Sequence, residues 1–480
     1  MTEIRTITPQ EITAGTNGNH NGYHPEYEVP QPLDVEAFLE RHPNFVPTQY
    51  DPRVHGVAIQ QFMFPGEVTD DTALVDTNVG NGERLSYNGK FSRFEEEVAE
   101  LIMRTGVYNT PVGEDGKGYN VAIEDPEAAA IRQASLEALR TAPIEVIAPF
   151  AEEPESIQGV IGYLSSRVGM DRVHPVDAGI HAESGELARE TGANVLNQQN
   201  ILKYVDLQKL MDMGVIPHID KLKGSKGLTM LAGNYALAAL GKLGGYVAYH
   251  DTDIVNSEDY AALDYLGIPF AFPVGEMNGV YIGRTGAGRN NESLQGENMH
   301  NLSKRKPAEV RRIAHNFAPI MWPLTGERIV KGDVIANMPW PVDMNIETMI
   351  DFTLAGLNAE AGEQRLMQVA NPTQKEENRV STDPREWGMI YGCEKSLRTY
   401  YEMFEDTGRM PHQWTVEDVA RYNKEYGNFG DNVMTKGEIV NQPNTLQRVA
   451  RGVMMPSINQ LIELGVFDIE GLRQELMQSN

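Results

Sequence analysis

The chain has 480 residues, 41% of them hydrophobic, and a formal charge of −27 from 68 acidic against 41 basic side chains. That length holds two or three domains, and that charge repels nucleic-acid backbones and anionic membranes unless a local basic strip such as Lys304–Arg312 overrides it. The single cysteine, Cys393, excludes an internal disulfide framework and a cysteine-rich zinc site; no apolar run approaches the roughly 20 residues of a membrane span, and the start MTEIRTITPQEITAG has no secretory-signal pattern, so a cytoplasmic location is expected.

Residues 1–32, rich in Gly, Asn, Pro and Thr, are expected to form a flexible tail. A helical N-terminal extension is expected over 33–140. Its pieces are Asp34–Arg41, then Phe91–Thr105 with Phe91, Phe94, Val98 and Leu101 at helical spacing, then a helix with Asp125 as cap and Pro126 as first residue, ending near Arg140. The extension carries no chemical motif; it either packs on the following domain or makes a subunit contact, as in a homodimer.

From Ile144 strands and helices alternate. Ile144–Pro149, Val173–Asp177, Ala193–Leu196 and Tyr246–His250 read as strands; Pro154–Val168, Ala182–Thr191 and Leu228–Lys242 read as helices. This spacing predicts an α/β fold, a mostly parallel sheet with helices on both faces. Further on, Ile268–Val274 and Gly279–Gly283 read as strands, and Ile346–Leu357, Pro384–Glu405, Thr415–Tyr426 and Leu446–Leu464 as helices.

Ligands of such sheets gather at the carboxyl ends of strands. Glu152 and Glu153 follow the first strand, Asp177 ends the second, and Asp251-Thr252-Asp253 follows the fourth. Two carboxylates one residue apart at a strand exit suit a hard cation such as Mg²⁺ or Mn²⁺, which keeps open positions for phosphate. By itself the triplet also fits a solvated turn. Two basic clusters stand out against the acidic background, Lys221-Leu222-Lys223-Gly224-Ser225-Lys226 and Lys304-Arg305-Lys306 with Arg311-Arg312; each suits phosphate or a solvated face.

Together these segments resemble a family. VIAPFAEE (146–153), VDAG (176–179) followed by GELARETGA (185–193), GSKG (224–227) and DTD (251–253) are similar, in order, to the motifs of nucleotide-sugar glycosyltransferases of the GT-A fold. WPLTGER (322–328), MPWP (338–341) and NIET (345–348) look like a block of the glucosyl-3-phosphoglycerate and mannosylglycerate synthases, and Gly288-Arg289-Asn290-Asn291-Glu292 resembles their acceptor loop. The resemblance implies a GT-A domain over 141–375, with a donor half 141–256 and an acceptor half 257–375, followed by a helical C-terminal region over 376–480. It implies transfer of a hexose, with retention, from a UDP- or GDP-hexose to a small hydroxyl acceptor such as glycerate or phosphoglycerate. The roles it implies are a Mg²⁺ or Mn²⁺ ion on Asp251 and Asp253, and donor-nucleotide contacts from Pro149, Glu152, Glu153, Asp177, Lys226 and Asp251. It further implies acceptor contacts from Arg289, Asn290 and Asn291, and Glu327 and Glu347 at the reacting sugar.

Two departures stand out. Ile180-His181-Ala182 replaces the polar STD of the second motif, and the stretch Gln368–Asn378 lacks the His expected as third metal ligand, so that Asn371, Gln374, Glu376 or His412 would have to substitute. Among rivals, a nucleotidyltransferase or a hydride-transfer enzyme needs a Gly-rich signature after the first strand, which Ala148–Glu155 lacks, and a glycoside hydrolase leaves the Lys-Gly loop without a role. A macromolecular acceptor (polysaccharide, protein or modified DNA base) and a non-catalytic scaffold of the same fold both stay open.

Overall fold

The computed structural model describes residues 106–109, 120–123, 126–218, 225–255, 262–271, 278–284, 326–343, 345–361, 366–371, 396–397, 399–426 and 453–478. The expected tail, the helices Asp34–Arg41 and Phe91–Thr105, the Lys221–Gly224 part of the first basic cluster, the acceptor residues Arg289, Asn290 and Asn291, and the strip Lys304–Arg312 lie outside them.

Seven strands form the central sheet: β1 Ile144–Phe150, β2 Val173–Asp177, β3 Leu196–Asn197, β4 Tyr246–Tyr249, β5 Gly279–Arg284, β6 Arg328–Lys331 and β7 Leu366–Asn371. Their spatial order is β7-β5-β6-β4-β1-β2-β3, and only β6 runs antiparallel to its neighbours. This is the mostly parallel α/β sheet that the alternating strands and helices predict. Strands covered on both faces read as near-continuous apolar runs, and in β1 every residue but Glu145 is buried. That exception is paired, to His174 at 2.7 Å and to Lys242 at 2.9 Å.

Helices cover both faces. On one lie α1 (Pro126–Thr141), α2 (Ile157–Val168) and α3 (Ala182–Glu190); Phe150, Ile157, Ile161 and Ala188 pack together there. On the other lies α4, Lys226–Ala239, whose sequence KGLTMLAGNYALAA is buried almost all round, as a helix with no polar face must be. Its Gly233 meets Ile147 and Val176 so closely that an added Cβ would stand 2.9 Å from Ile147 Cδ1, which sets how near the helix lies to the sheet. Next along the chain come α5 (Ile346–Ala361), α6 (Val416–Glu425), α7 (Ile458–Glu463) and α8 (Ile469–Gln478). Residues of α4, α5, α6, α7 and α8 share one hydrophobic core.

Several expectations are corrected. Of the strand expected over Ile268–Val274, the described part, Ile268–Ala271, is a helical turn, closed by Phe270 and Ala271 N–H groups on Gly267 O and packed on α1. A short apolar run does not distinguish strand from buried helix. The N-terminal extension holds α1 but also an antiparallel pair, Gly106–Asn109 with Asn120–Ile123, where short runs of Val, Tyr and Ile favour pairing. Within Leu446–Leu464, Met454–Met455 pairs with Trp340–Pro341 as a strand, because Pro456 stops any helix from running through, and Ser457 then caps α7. Strand β6 was not anticipated. Among the described residues no helix is long and apolar enough to cross a membrane.

Candidate active site

The chain runs β1, β2, β3 toward one edge and returns to β4 on the other side of β1. Between β1 and β4 the winding therefore reverses, and at the carboxyl ends of strands such a switch point opens a crevice. A pocket of about 160 Å³ lies there, lined by residues of the β1, β2 and β4 exits and the start of α4.

Pro149 and Glu153 line it from β1, and the Glu153 carboxylate folds back to accept the Ala151 N–H at 2.5 Å. Asp251, Thr252 and Asp253 line it from β4. Their loop is tied down, since Thr252 Oγ1 donates to Pro149 O at 2.6 Å and Ser156 Oγ donates to Thr252 O at 2.5 Å. His250, against the Tyr163 ring at 5.8 Å, stands 2.7 Å from Asp251 O through Nδ1.

Lys226 is the first residue of α4. Its ammonium reaches Asp251 Oδ1 at 2.5 Å and Glu347 Oε1 at 2.6 Å. Burial alone would lower the pKa of this amine, but the Asp251 and Glu347 carboxylates outweigh it and raise the pKa above the ordinary lysine value. Gly227 has a structural use: its Cα abuts the carbonyls of Pro341 and Asp343, and Trp340 Nε1 donates to its own carbonyl at 2.7 Å.

The end of the WPLTGER block, Gly326-Glu327-Arg328, joins the site through the antiparallel strand. Because β6 runs backwards, its first residue, Arg328, pairs with Tyr249, the last of β4. Gly326 and Glu327 thus enter beside the DTD loop, and a Cβ on Gly326 would overlap the Asp251 carboxylate. Glu327 is fully buried; Glu347, in the first turn of α5, is 4% exposed and faces Lys226. Arg328, also buried, donates to Asp351 Oδ1 at 3.0 Å and to Glu347 O at 3.3 Å.

Of the residues expected at the donor, Pro149, Glu153, Lys226, Asp251 and Asp253 line the pocket. Glu152 is exposed outside the lining. Asp177 also stands outside it, accepting the Gly179 N–H at 2.7 Å and facing Arg189 at 3.8 Å. Ser225, Thr229 and Ile180 also line the pocket, although Ser225 and Ile180 were named only within the GSKG motif and the Ile180-His181-Ala182 departure and none of the three was expected as a contact. The signal for the first two was helical geometry, since Ser225 and Thr229 flank Lys226 within one turn; for Ile180 it was the loop position directly after VDAG.

Among the described residues no three His, Cys, Asp or Glu side chains converge as a ready metal site. His412 is not near: it pairs with Glu360 at 3.0 Å, while Glu347 lies 13 positions earlier on the same helix, about 20 Å away along the axis. Gln374 and Glu376 lie outside the described residues, and of Asn371 the structure gives the strand alone. The charged lining nonetheless suits a cation, since among the described residues Glu153, Asp251 and Asp253 stand against Lys226 alone. A diphosphate would meet net negative charge unless a hard divalent ion on Asp251 and Asp253 reversed it.

No family model matches the chain, and no curated protein matches it in sequence. Solved structures similar to it include a mycobacterial protein, 16% identical over 59% of this chain and 81% of that one, with a TM-score of 0.40. Glucosyl-3-phosphoglycerate synthase from Mycobacterium tuberculosis is another. In complex with Mn²⁺ and UDP-glucose it is 17% identical over 56% of this chain and 83% of that one (TM-score 0.40). With Mn²⁺, UDP and phosphoglyceric acid it is 18% identical over 56% and 81% (TM-score 0.40).

Proposed function

We propose that this pocket binds a nucleoside-diphosphate hexose with a divalent cation, and that the protein is a glycosyltransferase moving the hexose to a hydroxyl acceptor. The observation that carries the reading is the meeting, at the sheet's switch point, of a carboxylate pair on a strand exit, a lysine at a helix start and a buried Glu-bearing strand entrance.

Asp251 and Asp253 would hold Mg²⁺ or Mn²⁺, which when bound acts as a Lewis acid neutralising the diphosphate leaving group. Lys226 supplies a second positive charge beside Asp251, and Glu347 positions it. An ammonium fixed in advance stabilises a departing diphosphate without reorganising during the reaction. Glu327, buried beside Gly326, is the side chain proposed to meet donor-sugar hydroxyls. Transfer with retention, by attack of the acceptor on the face the diphosphate leaves, asks the protein for positioning and charge stabilisation rather than a nucleophile. Arg289, Asn290 and Asn291 are proposed to take a carboxylate-bearing acceptor such as glycerate or phosphoglycerate.

The test incubates the purified protein with a panel of UDP- and GDP-hexoses and candidate acceptors, with Mn²⁺, with Mg²⁺ or with chelator, and follows release of nucleoside diphosphate. Turnover of one donor class that stops with chelator, and in Asp253→Asn, is expected. Absence of donor binding and turnover under every condition would sink the enzyme reading.

A further inference from the structure

Two peptide units separate the carboxylate-bearing residues of the DTD triplet, and a side chain meets the carbonyl of each. Ser156 Oγ donates to Thr252 O at 2.5 Å, and His250 Nδ1 stands 2.7 Å from Asp251 O. A carbonyl oxygen only accepts, so Nδ1 carries a proton and donates it. His250 directly follows β4, and its own N–H is held by Ile147 O at 3.2 Å.

The imidazole is 1% exposed, and among the described residues its Nε2 has no hydrogen-bond partner. Burying a polar ring with one nitrogen unmatched costs free energy that a phenyl ring of similar shape would not. The bond to Asp251 O is therefore what a histidine brings to this position. The ring is also backed from behind by Tyr163, with centroids 5.8 Å apart. Tyr163 is anchored in turn: its hydroxyl donates to Asp264 Oδ1 at 3.1 Å and accepts the Leu263 N–H at 2.9 Å. Arg167 donates to the same Asp264 oxygen at 2.8 Å and sets its guanidinium 4.8 Å from the Tyr163 ring centre. Because a peptide unit is planar, holding its carbonyl restrains the backbone torsions on either side. Asp251 lies on one side of the held unit, and the chain leading to Asp253 on the other.

We propose that His250 is a positioning residue for the cation site: its bond to Asp251 O fixes the Asp251–Thr252 peptide, so that both carboxylates are aimed before a divalent ion arrives. The inference rests on the reading of Asp251 and Asp253 as the ion's ligands. Groups that orient metal ligands from behind change metal affinity by about 10–100-fold.

The test compares His250→Phe, which keeps the ring shape and loses the bond, with His250→Asn, which loses the ring and keeps an amide N–H near the place of Nδ1. Mn²⁺ uptake, alone and with UDP or GDP, is read from the paramagnetic resonance signal of the free ion, and stability from urea midpoints. His250→Phe is expected to weaken Mn²⁺ binding by about tenfold or more. His250→Asn should keep most of the wild-type affinity although the cavity it leaves makes it the less stable of the two. Affinity that follows stability instead, with the Asn variant the weaker binder, or wild-type affinity in His250→Phe, overturns the proposal and leaves the cation site standing. Should His250→Phe not fold, a tenfold loss in His250→Asn overturns it alone. A wild-type chain that takes up no Mn²⁺ under any of these conditions, or an Asp253→Asn chain that takes up as much, overturns the cation reading as well.

Discussion

The Lys226 ammonium lies between Asp251 and Glu347, and its proton is held more tightly than in an ordinary lysine. A lysine whose pKa is raised by folding contributes stability that is complete below its unfolded pKa, near 10.5, and lost as pH rises through the higher folded value. The stability of wild type over Lys226→Met should therefore be flat from roughly pH 6 to 9 and shrink only in stronger alkali. Urea midpoints across that range measure it; a difference that decays between pH 7 and 9 contradicts the pairing. Gly326 makes a second prediction at this scale. Gly326→Ala must push the Asp251 carboxylate away, so cation-dependent turnover should fall by at least about tenfold, with weaker Mn²⁺ binding, because a displacement of about 1 Å is costly at a reacting centre. Turnover at the wild-type level would show that Asp251 has room to move. Much of this site was legible in the sequence: Pro149, Glu153, Asp251 and Asp253 sit where apolar runs end in polar residues. The Lys226–Glu347 pair was not, since its partners are 121 residues apart and nothing local marks either for the other.

Strands β1, β2 and β4 were legible because they are apolar runs flanked by turn residues, and α4 because it follows a Gly-Ser-Lys start. Strand β6 is four residues, RIVK, with a charge at each end, and no periodicity shows in so short a run. It is nonetheless the element that brings Gly326 and Glu327 beside the DTD loop. What fixes it is the buried pair Arg328–Asp351, 1% and 0% exposed. Removing one partner of such a pair takes the counter-charge from a buried ion, so Arg328→Met or Asp351→Asn should each cost about 3–5 kcal/mol by urea unfolding. The double variant Arg328→Met/Asp351→Leu should recover most of that loss. If the double is as unstable as either single, packing around Arg328 rather than its charge holds the strand. A slip of β6 by one residue turns Arg328 to the opposite face, away from Asp351, so the pair also opposes the wrong register.

The C-terminal residues belong to the same core as the pocket. Val342 donates its N–H to Val453 O at 3.0 Å, while its carbonyl accepts from Leu228 N at 3.1 Å and from Ser225 Oγ, at the very start of the lysine-bearing helix. Asn423 joins three segments, donating to Val215 O and Met454 O at 2.8 Å and accepting from Met454 N at 2.7 Å. Beyond it, Arg473 closes the end of α4 by donating to Ala239 O at 2.6 Å, and Tyr235 packs on Phe467 with ring centres 4.9 Å apart. None of this bracing was legible, because helices α7 and α8 carry no chemical motif and their partners lie hundreds of positions upstream. The placement of α4 bears on the order of events at the ribosome. This mostly apolar helix is buried almost all round, yet residues that help cover it, 453–478, are synthesised more than 200 positions after it. Until they emerge, a nascent chain can wind most of the sheet but must carry a bare greasy helix at its centre, a natural handle for chaperones and a hazard for any prematurely terminated product.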